Sequence, residues 1–452
     1  MSRPDPTDIM KKYLLAILLF SSTLTQAGAL SVREQARVVN ELVSERLDTL
    51  LPPLMQRTGI DMWIVVSREY NEDPVLKTML PAEWLNARRR TILVFALDPN
   101  SGKVEKLAIA RYDVGKAIKA AWDMQRFPGQ WDALVELVRS RQPRKIGINT
   151  STNFGHADGL DHTDYTELMQ KLPEQYRSRV VSADQLAVGW LETRTEREMQ
   201  IYPHLVRETH DIIAEGFSSQ VITPGLTSTE DVEWWFRQKI RDSGYDTWFH
   251  PTVSIQRSDT QNIDQVRSFS VRPKSNVILP GDLLHVDIGI TYLRLNTDIQ
   301  QHAYVLKPGE SAAPAGLNLA FTQANRLQDI LTGQFRELRT GNQILASALA
   351  QANQEGIVAT IYTHPIGLHG HAAGPAIGMW DMQGGVPGSG DAPMHFGTAY
   401  SIELNAESQV PEWKKNIRIM LEENAYFDER GTRYINGRQR ELLLLPRKPS
   451  MH

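Results

Sequence analysis

The chain contains no cysteine among its 452 residues, and this absence removes several kinds of site. Without thiols it can form no disulfide bond, no thiolate metal site and no cysteine nucleophile. Strong charge of one sign is also missing, because 49 basic and 53 acidic residues leave a net charge of −4. No segment is dense in lysine and arginine, so the sequence argues against nucleic acid as a partner.

Long hydrophobic runs are scarce as well. The apolar run 13-YLLAILLF-20 is shorter than the roughly 20 residues that a membrane-spanning helix needs. It follows the basic pair 11-KK-12 and leads to the small residues 27-AGA-29, which is the order of a secretory signal peptide. We therefore interpret residues 1–29 as a signal peptide, with Met10 as an alternative start, and the alternative is a disordered or core-packing N-terminus.

Export without disulfides fits a bacterial periplasm, and no stable membrane span is expected once the signal peptide has been cleaved.

The length of the chain favours two domains. Strand-like runs at 61-DMWIVVS-67 and 90-RTILVFALD-98 are followed by a helical pattern at 130-QWDALVELVRSRQP-143. Strands alternating with helices are typical of an α/β domain, which we assign to residues 30–190. Residues 191–452 form the second predicted domain.

The second domain has its own helix and loop signals. Residues 228–244 begin with a capping box and end at a glycine, which predicts a helix. One further helix is predicted over 318–336, between strand-like runs at 301–307 and 399–405. The stretch 384-GGVPGSGDAP-393 is typical of a loop, and we expect it near the candidate site.

Four acidic residues and one histidine of the second domain each lie beside apolar, strand-like sequence. Burying a carboxylate costs several kcal/mol unless it is paired or binds a cation. Oxygen-rich ligand sets with one nitrogen suit hard or borderline divalent metals, and bridging carboxylates hold two of them. The sequence therefore predicts the metal centre of a dinuclear hydrolase. The predicted ligands are Asp287, Asp298, His364, Glu403 and Glu422.

Each of these residues also has a simpler interpretation. A single Asp is typical of a turn or a helix cap, and a single His is typical of a hydrogen-bonded structural residue. Since His364 and His371 enclose 365-PIGLHG-370, one imidazole can bind metal while the other polarises a bound carbonyl. His369 is a further candidate for either of these two roles.

The roles of the last two candidate glutamates depend on the register of their strand. In a strand, Met420 and Glu422 share a face, so Glu423 points to the opposite face. A shift by one residue would exchange the two glutamates. We expect Glu422 to point inward and Glu423 to be a solvated strand-end residue.

The order and spacing of these residues resemble the creatinase/prolidase/aminopeptidase P branch of metallopeptidase family M24. That pattern is an aspartate pair, a histidine and two glutamates, matched here by the five predicted ligands. The resemblance implies an α/β creatinase-like N-terminal domain followed by an α+β pita-bread catalytic domain. It also implies two divalent ions (Mn, Co, Zn or Fe), a peptide substrate and a homodimer.

The resemblance further implies a reaction. A hydroxide bridging the two ions would cleave a peptide bond, most characteristically in an Xaa-Pro aminopeptidase or a prolidase. Glu403 would also move the proton from water to the leaving amine, and His371 would contact the substrate carbonyl.

Several positions depart from the family pattern. Ser270 lies near the place of a substrate-binding histidine, and His250 is the candidate substitute. Where the family usually has Glu-Pro-Gly, this chain has 403-ELN-405. Met420 stands where the family often has an arginine, and the family's Asp-x-x-Arg is 298-DIQQ-301 in this chain. Because these changes leave the ligands intact, two alternatives stay open on the same fold: a creatinase-like hydrolase of a small-molecule C–N bond, and a non-catalytic binding protein.

Overall fold

The structure, a computed structural model, describes residues 29–258 and 276–446. The predicted signal peptide lies outside these residues except for its last position, and Ser270 lies outside them too. Within the described ranges, none of the helices is both long and apolar enough to cross a bilayer.

The N-terminal half is built on a six-stranded mixed sheet with the strand order β4-β3-β2-β1-β5-β6. Its strands are β1 (Met62–Arg68), β2 (Arg90–Leu97), β3 (Val104–Ile109), β4 (Lys119–Ala120), β5 (Ile146–Ile148) and β6 (Val180–Ser182). The accompanying helices are α1 (Val32–Glu45), α2 (Leu51–Thr58), α3 (Pro74–Met79), α4 (Gln130–Arg141), α5 (His162–Lys171), α6 (Glu174–Arg177) and α7 (Asp184–Glu192), with a π-helical turn at Arg46–Leu50.

Both faces of this sheet are covered. On β1, Trp63 and Val65 pack into one core cluster, and Ile64 and Val66 pack into another on the opposite face. A strand buried on both faces needs a continuous apolar run instead of alternation, which is what residues 62–66 provide.

The C-terminal half contains a nine-stranded sheet with the main order β12-β14-β15-β11-β8-β7, to which β13, β16 and β17 add at β14, β15 and β11. Its strands are β7 (Thr252–Gln256), β8 (Leu283–Ile288), β11 (Ile299–Val305), β12 (Val358–Ile361), β13 (His364–Ile366), β14 (Thr398–Val410), β15 (Lys415–Asp428), β16 (Gly431–Tyr434) and β17 (Leu443–Leu445). A separate two-stranded ribbon consists of β9 (Thr291–Tyr292) and β10 (Leu295–Asn296).

Four helices accompany the larger sheet: α8 (Glu196–Gly216), α9 (Thr229–Asp242), α10 (Ala315–Thr332) and α11 (Gly341–Gln354). The predicted capping box of α9 is present, with Ser228 and Asp231 bonding each other's backbone N–H. The helix predicted over 318–336 is present as α10, and a second helix that was not predicted, α11, follows it. α11 is rich in Ala, Gln and Asn, so its apolar stripe is narrow and easily overlooked.

A buried ion pair lies where the two halves meet. Arg46 and Glu198 are 2% and 1% exposed, and Nη1 of Arg46 donates to both Glu198 oxygens at 2.9 Å. The same guanidinium donates to the carbonyl oxygens of Thr193 and Trp190. Because Glu198 lies in the first turn of α8, this pair fixes the start of that helix against the π-helical turn.

Candidate metal centre and substrate pocket

The five predicted ligands come together on neighbouring strands of the nine-stranded sheet. Glu403 on β14 lies directly opposite Glu422 on β15, and His364 begins β13 on the other side of β14. Asp287 lies on β8, and Asp298 directly precedes β11. Because antiparallel pairing places opposite residues about 5 Å apart, the register alone brings these side chains to one place.

The His364 imidazole lies among three carboxylates. Its Nε2 is 3.4 Å from Glu422 Oε1, 3.6 Å from Asp298 Oδ2 and 3.9 Å from Glu403 Oε2. Ligand atoms of Asp287, Asp298 and Glu422 also lie within 4.8 Å of one another. All five predicted ligands therefore belong to one cluster.

Crowding of carboxylates changes their protonation. Burial and the Glu422 carboxylate raise the pKa of Asp287, Asp298 and Glu403 well above the ordinary range. Burial acts in the same direction on Glu422, but the nearby His364 imidazole and the hydrogen bonds from Ser401 and Gln300 outweigh it and lower the pKa of Glu422. Without a cation the cluster retains protons, and a divalent ion would displace them.

Unpaired polar atoms show how the cluster fits a metal. Among the described residues, Asp287 Oδ1, Asp298 Oδ1 and His364 Nε2 are buried and have no hydrogen-bond partner. Buried polar atoms normally have hydrogen-bond partners, so three buried atoms without a partner at one place need an explanation. Two carboxylate oxygens and one imidazole nitrogen are suitable ligands for Mn, Co, Zn or Fe, so the residues present fit divalent ions.

A pocket of about 620 Å³ opens beside the cluster. Its apolar walls include Trp248, Phe249 and Trp380, and His371 projects into it. The His371 ring stands edge-on to His364 and Trp248, with ring centroids 4.7 and 5.0 Å away. Partial desolvation by these walls, with the neighbouring His364, lowers the pKa of His371 to about 4. His371 is therefore placed as a neutral imidazole facing both the ligands and the cavity.

The N-terminal half contributes to the same pocket. Residues 153–156, between β5 and α5, line it, and the His156 ring lies 4.3 Å from the His369 ring. Sequence reasoning missed this contribution, because nothing in the local pattern of residues 153–156 points to a partner two hundred positions away. The loop 384–393 also reaches the pocket, through Ser389, as expected for that segment.

Two other predicted histidines lie apart from the ligands. His250 packs against Trp234 at 4.8 Å between ring centroids and is not a residue that lines the pocket. Its substrate-binding role stays a prediction. His369 does not join the cluster; burial and the nearby His156 lower its pKa to about 3.

The expectation of a solvated Glu423 was wrong. Glu423 is 1% exposed and accepts hydrogen bonds from His210 Nε2 at 2.7 Å, Gln301 Nε2 at 2.9 Å and the Gln439 N–H at 2.9 Å. It does point away from Glu422, as alternation requires, but on that face of β15 it meets His210 of α8, and the neighbouring Leu421 and Ala425 pack with α10. The sheet has no solvated side at this position.

A family model matches part of the chain. Residues 204–426 match the model of metallopeptidase family M24. No curated protein sequence matches the chain.

Solved structures with a similar fold include an X-Pro aminopeptidase from Thermotoga maritima, with 16% identity and a TM-score of 0.60 over 86% of this chain and 99% of that one. An Xaa-Pro dipeptidase from Bacillus anthracis has 16% identity and a TM-score of 0.57, and the match covers 91% of this chain and 100% of that one. A prolidase from Pyrococcus horikoshii has 14% identity and a TM-score of 0.55 over 91% and 100%. These likenesses confirm the predicted fold class.

Proposed function

Because residues 204–426 match the model of metallopeptidase family M24, we propose that the chain is a member of this family and a dinuclear-metal hydrolase of peptide bonds. The substrate class we propose is that of Xaa-Pro aminopeptidases and prolidases. One observation carries the proposal: four carboxylates and one imidazole meet beside a pocket, and three of their buried atoms lack a partner. Asp287, Asp298, His364, Glu403 and Glu422 would hold two ions of Mn, Co, Zn or Fe.

Bound ions would supply Lewis-acid chemistry and lower the pKa of a water molecule. The chain's own residues perform the remaining steps. Glu403 lines the pocket, so its carboxylate can accept a proton from water and deliver it to the leaving amine. His371 is neutral at pH 7 and presents an N–H donor to the substrate carbonyl oxygen, where negative charge develops. Trp248 and Phe249 limit the access of bulk water to this point.

The test compares Xaa-Pro dipeptides with longer Xaa-Pro peptides, using protein loaded with each metal and the same protein treated with a chelator. We expect hydrolysis that chelation abolishes and added metal restores. His371→Ala should lower kcat by about 10²–10³-fold with metal content unchanged, which is the usual effect of removing one oxyanion donor. His369→Ala is the matched control two residues earlier, and kcat should change little.

Other outcomes would identify the alternatives. C–N hydrolysis of a small molecule that survives chelation would indicate a creatinase-like enzyme. Peptide binding without cleavage, equal in wild type and His371→Ala, would indicate a binding protein.

We also propose that the protein is exported to a periplasm and acts as a homodimer. The first proposal rests on the pattern of residues 1–29 and the absence of cysteine, and the second rests on the family resemblance. N-terminal sequencing of the mature protein from a periplasmic fraction tests the first. Sedimentation of the purified protein tests the second.

A further inference from the structure

Gln300 lies behind the metal ligands and is not one of them. It is the second residue of β11, 3% exposed, and lies opposite Asp287 on β8 and opposite Glu422 on β15. In 298-DIQQ-301 the residue that departs from the family's Asp-x-x-Arg is its neighbour, Gln301. The side chain of Gln300 therefore occupies the centre of the sheet, between two strands that carry ligands.

One amide group holds two of the glutamates. Nε2 of Gln300 donates to Glu403 Oε1 at 2.6 Å and to Glu422 Oε2 at 2.8 Å. Each N–H thus binds a different carboxylate. Hydrogen bonds to ionised groups are short and about twice as strong as neutral ones, so this amide fixes both carboxylate planes.

The orientation of the amide follows from its other contact. Oε1 of Gln300 lies 2.9 Å from His285 Nε2, and His285 Nδ1 lies 3.3 Å from Ser254 Oγ. A carbonyl oxygen only accepts, so His285 Nε2 carries the hydrogen and Nδ1 accepts from Ser254. The reverse amide orientation would set Oε1 against two carboxylates. Ser254, His285 and Gln300 therefore form one hydrogen-bonded row that ends at the glutamates.

This row determines which oxygens remain for a cation. With Glu403 Oε1 and Glu422 Oε2 bound to Gln300, the opposite oxygens face His364 Nε2 at 3.9 and 3.4 Å, and Glu422 Oε1 also accepts a hydrogen bond from Ser401 Oγ at 2.6 Å. An amide also orients the carboxylates without adding positive charge. A lysine or arginine in the same place would repel the incoming ions.

We propose that Gln300 is a positioning residue that orients Glu403 and Glu422 for binding of the two metal ions. The inference rests on the proposed function, since it assumes that the cluster binds metal. Partners of metal ligands typically change metal affinity by about 10- to 100-fold when they are removed.

The neighbouring glutamine is a matched control. Gln301 is 7% exposed, and its Nε2 donates to Glu423 Oε1 at 2.9 Å on the opposite face of the sheet. Both glutamines are buried, adjacent and bonded to a glutamate of β15. They differ in that the partner of Gln300 is a predicted ligand and the partner of Gln301 is not.

The experiment measures Mn²⁺ binding to the full chain for wild type, Gln300→Met and Gln301→Met. Free Mn²⁺ is followed by electron paramagnetic resonance, which also detects the spectrum of a spin-coupled pair of bound ions. Thermal unfolding in chelator reports stability without metal. We expect Gln300→Met to weaken Mn²⁺ binding by about 10- to 100-fold and to diminish the coupled-pair spectrum. Gln301→Met should bind as wild type does, even if it unfolds at a lower temperature.

Each outcome has a distinct meaning. If wild type binds no pair of ions, the proposed function fails. If wild type binds the pair and Gln300→Met binds it equally well, the positioning role is refuted, and equal losses in both variants refute it too. Should Gln300→Met not fold, Gln300→Asn takes its place, because its shorter amide cannot reach both glutamates.

Discussion

Replacing Asp298 with asparagine should stabilise the protein without metal and destabilise it relative to wild type with metal. Asp298 is 3% exposed, its Oδ1 has no hydrogen-bond partner among the described residues, and Asp287 and Glu422 are close by, while His364 Nε2 lies 3.6 Å from its Oδ2. Burial and these two carboxylates raise the pKa of Asp298 well above its ordinary range. Removing the charge therefore relieves repulsion that bound protons or a cation would otherwise relieve.

The size of the effect follows from Coulomb's law. Two like charges 4 Å apart repel by about 4 kcal/mol at an effective dielectric constant of 20. Protons taken up by the cluster relieve part of this repulsion, so Asp298→Asn should gain roughly 1–3 kcal/mol at pH 8 in chelator. Since the folded-state pKa of Asp298 is raised, wild type loses stability as pH rises, and the gain is larger at pH 8 than at pH 5.

With metal bound, wild type should be more stable than Asp298→Asn, the reverse of the order in chelator. A ligand at 100 times its Kd stabilises the folded state by about 2.7 kcal/mol, and Asp298→Asn should lose much of this gain. Urea unfolding with Mn²⁺ and with chelator measures both quantities.

The matched control is Asp282→Asn, which removes the charge of another buried aspartate. Asp282 accepts two hydrogen bonds from Arg257, at 2.8 and 2.7 Å, so its loss should cost about 1–3 kcal/mol under both conditions. If Asp298→Asn destabilises the chelated protein as Asp282→Asn does, or keeps its full response to Mn²⁺, the reasoning is refuted.

Three further predictions concern other buried groups. Burial raises the pKa of Glu192 to about 8, so the stability lost between pH 5 and 9 should be smaller in Glu192→Gln than in wild type by a few kcal/mol; urea unfolding of both proteins across this range checks it. Glu198→Gln leaves the charge of Arg46 buried and unpaired, and should lower the free energy of unfolding by about 3–5 kcal/mol in denaturant titrations. A methyl group at Gly370 would lie 2.3 Å from the Trp248 ring, so Gly370→Ala should lower the free energy of unfolding by about 1–3 kcal/mol in the same titrations. Because Trp248 lines the pocket, the variant should also have a higher KM, while its affinity for Mn²⁺ should be unchanged.

The ligand set could be predicted from sequence because its physical signal is local. Asp287, Glu403 and Glu422 lie in apolar strands, where an acidic residue is costly unless something compensates its charge. The β9–β10 ribbon between β8 and β11 brings Asp298 back beside Asp287. Burial cost and strand geometry therefore indicate the site before any contact is known.

Glu423 could not be interpreted in the same way. Alternation along β15 predicts which residues share a face, but it does not predict what covers that face. Here α8 brings His210 to within 2.7 Å of Glu423, from more than two hundred positions away. A polar residue on a doubly covered sheet has the same local sequence as one facing solvent.

The supporting and lining residues depend on distant contacts in the same way. Gln300 meets Glu403 across 103 positions, and the departure from the family's Asp-x-x-Arg falls on its neighbour Gln301, so nothing in the local sequence marks Gln300. His156 reaches the pocket from the other half of the chain. The two-domain fold was predictable from alternating strands and helices, whereas the pocket walls depend on how the halves pack.

The ligands lie on, or directly beside, five strands that neighbour one another, in the order β13, β14, β15, β11 and β8. Ions at their meeting point would connect the middle of the sheet across every one of its central pairings, including the Glu403–Glu422 pair. Backbone amides of these strands would then exchange with deuterium at a rate that follows ion occupancy. Chelation would loosen the most protected amides of the C-terminal half first, while amides of the six-stranded N-terminal sheet would keep their protection.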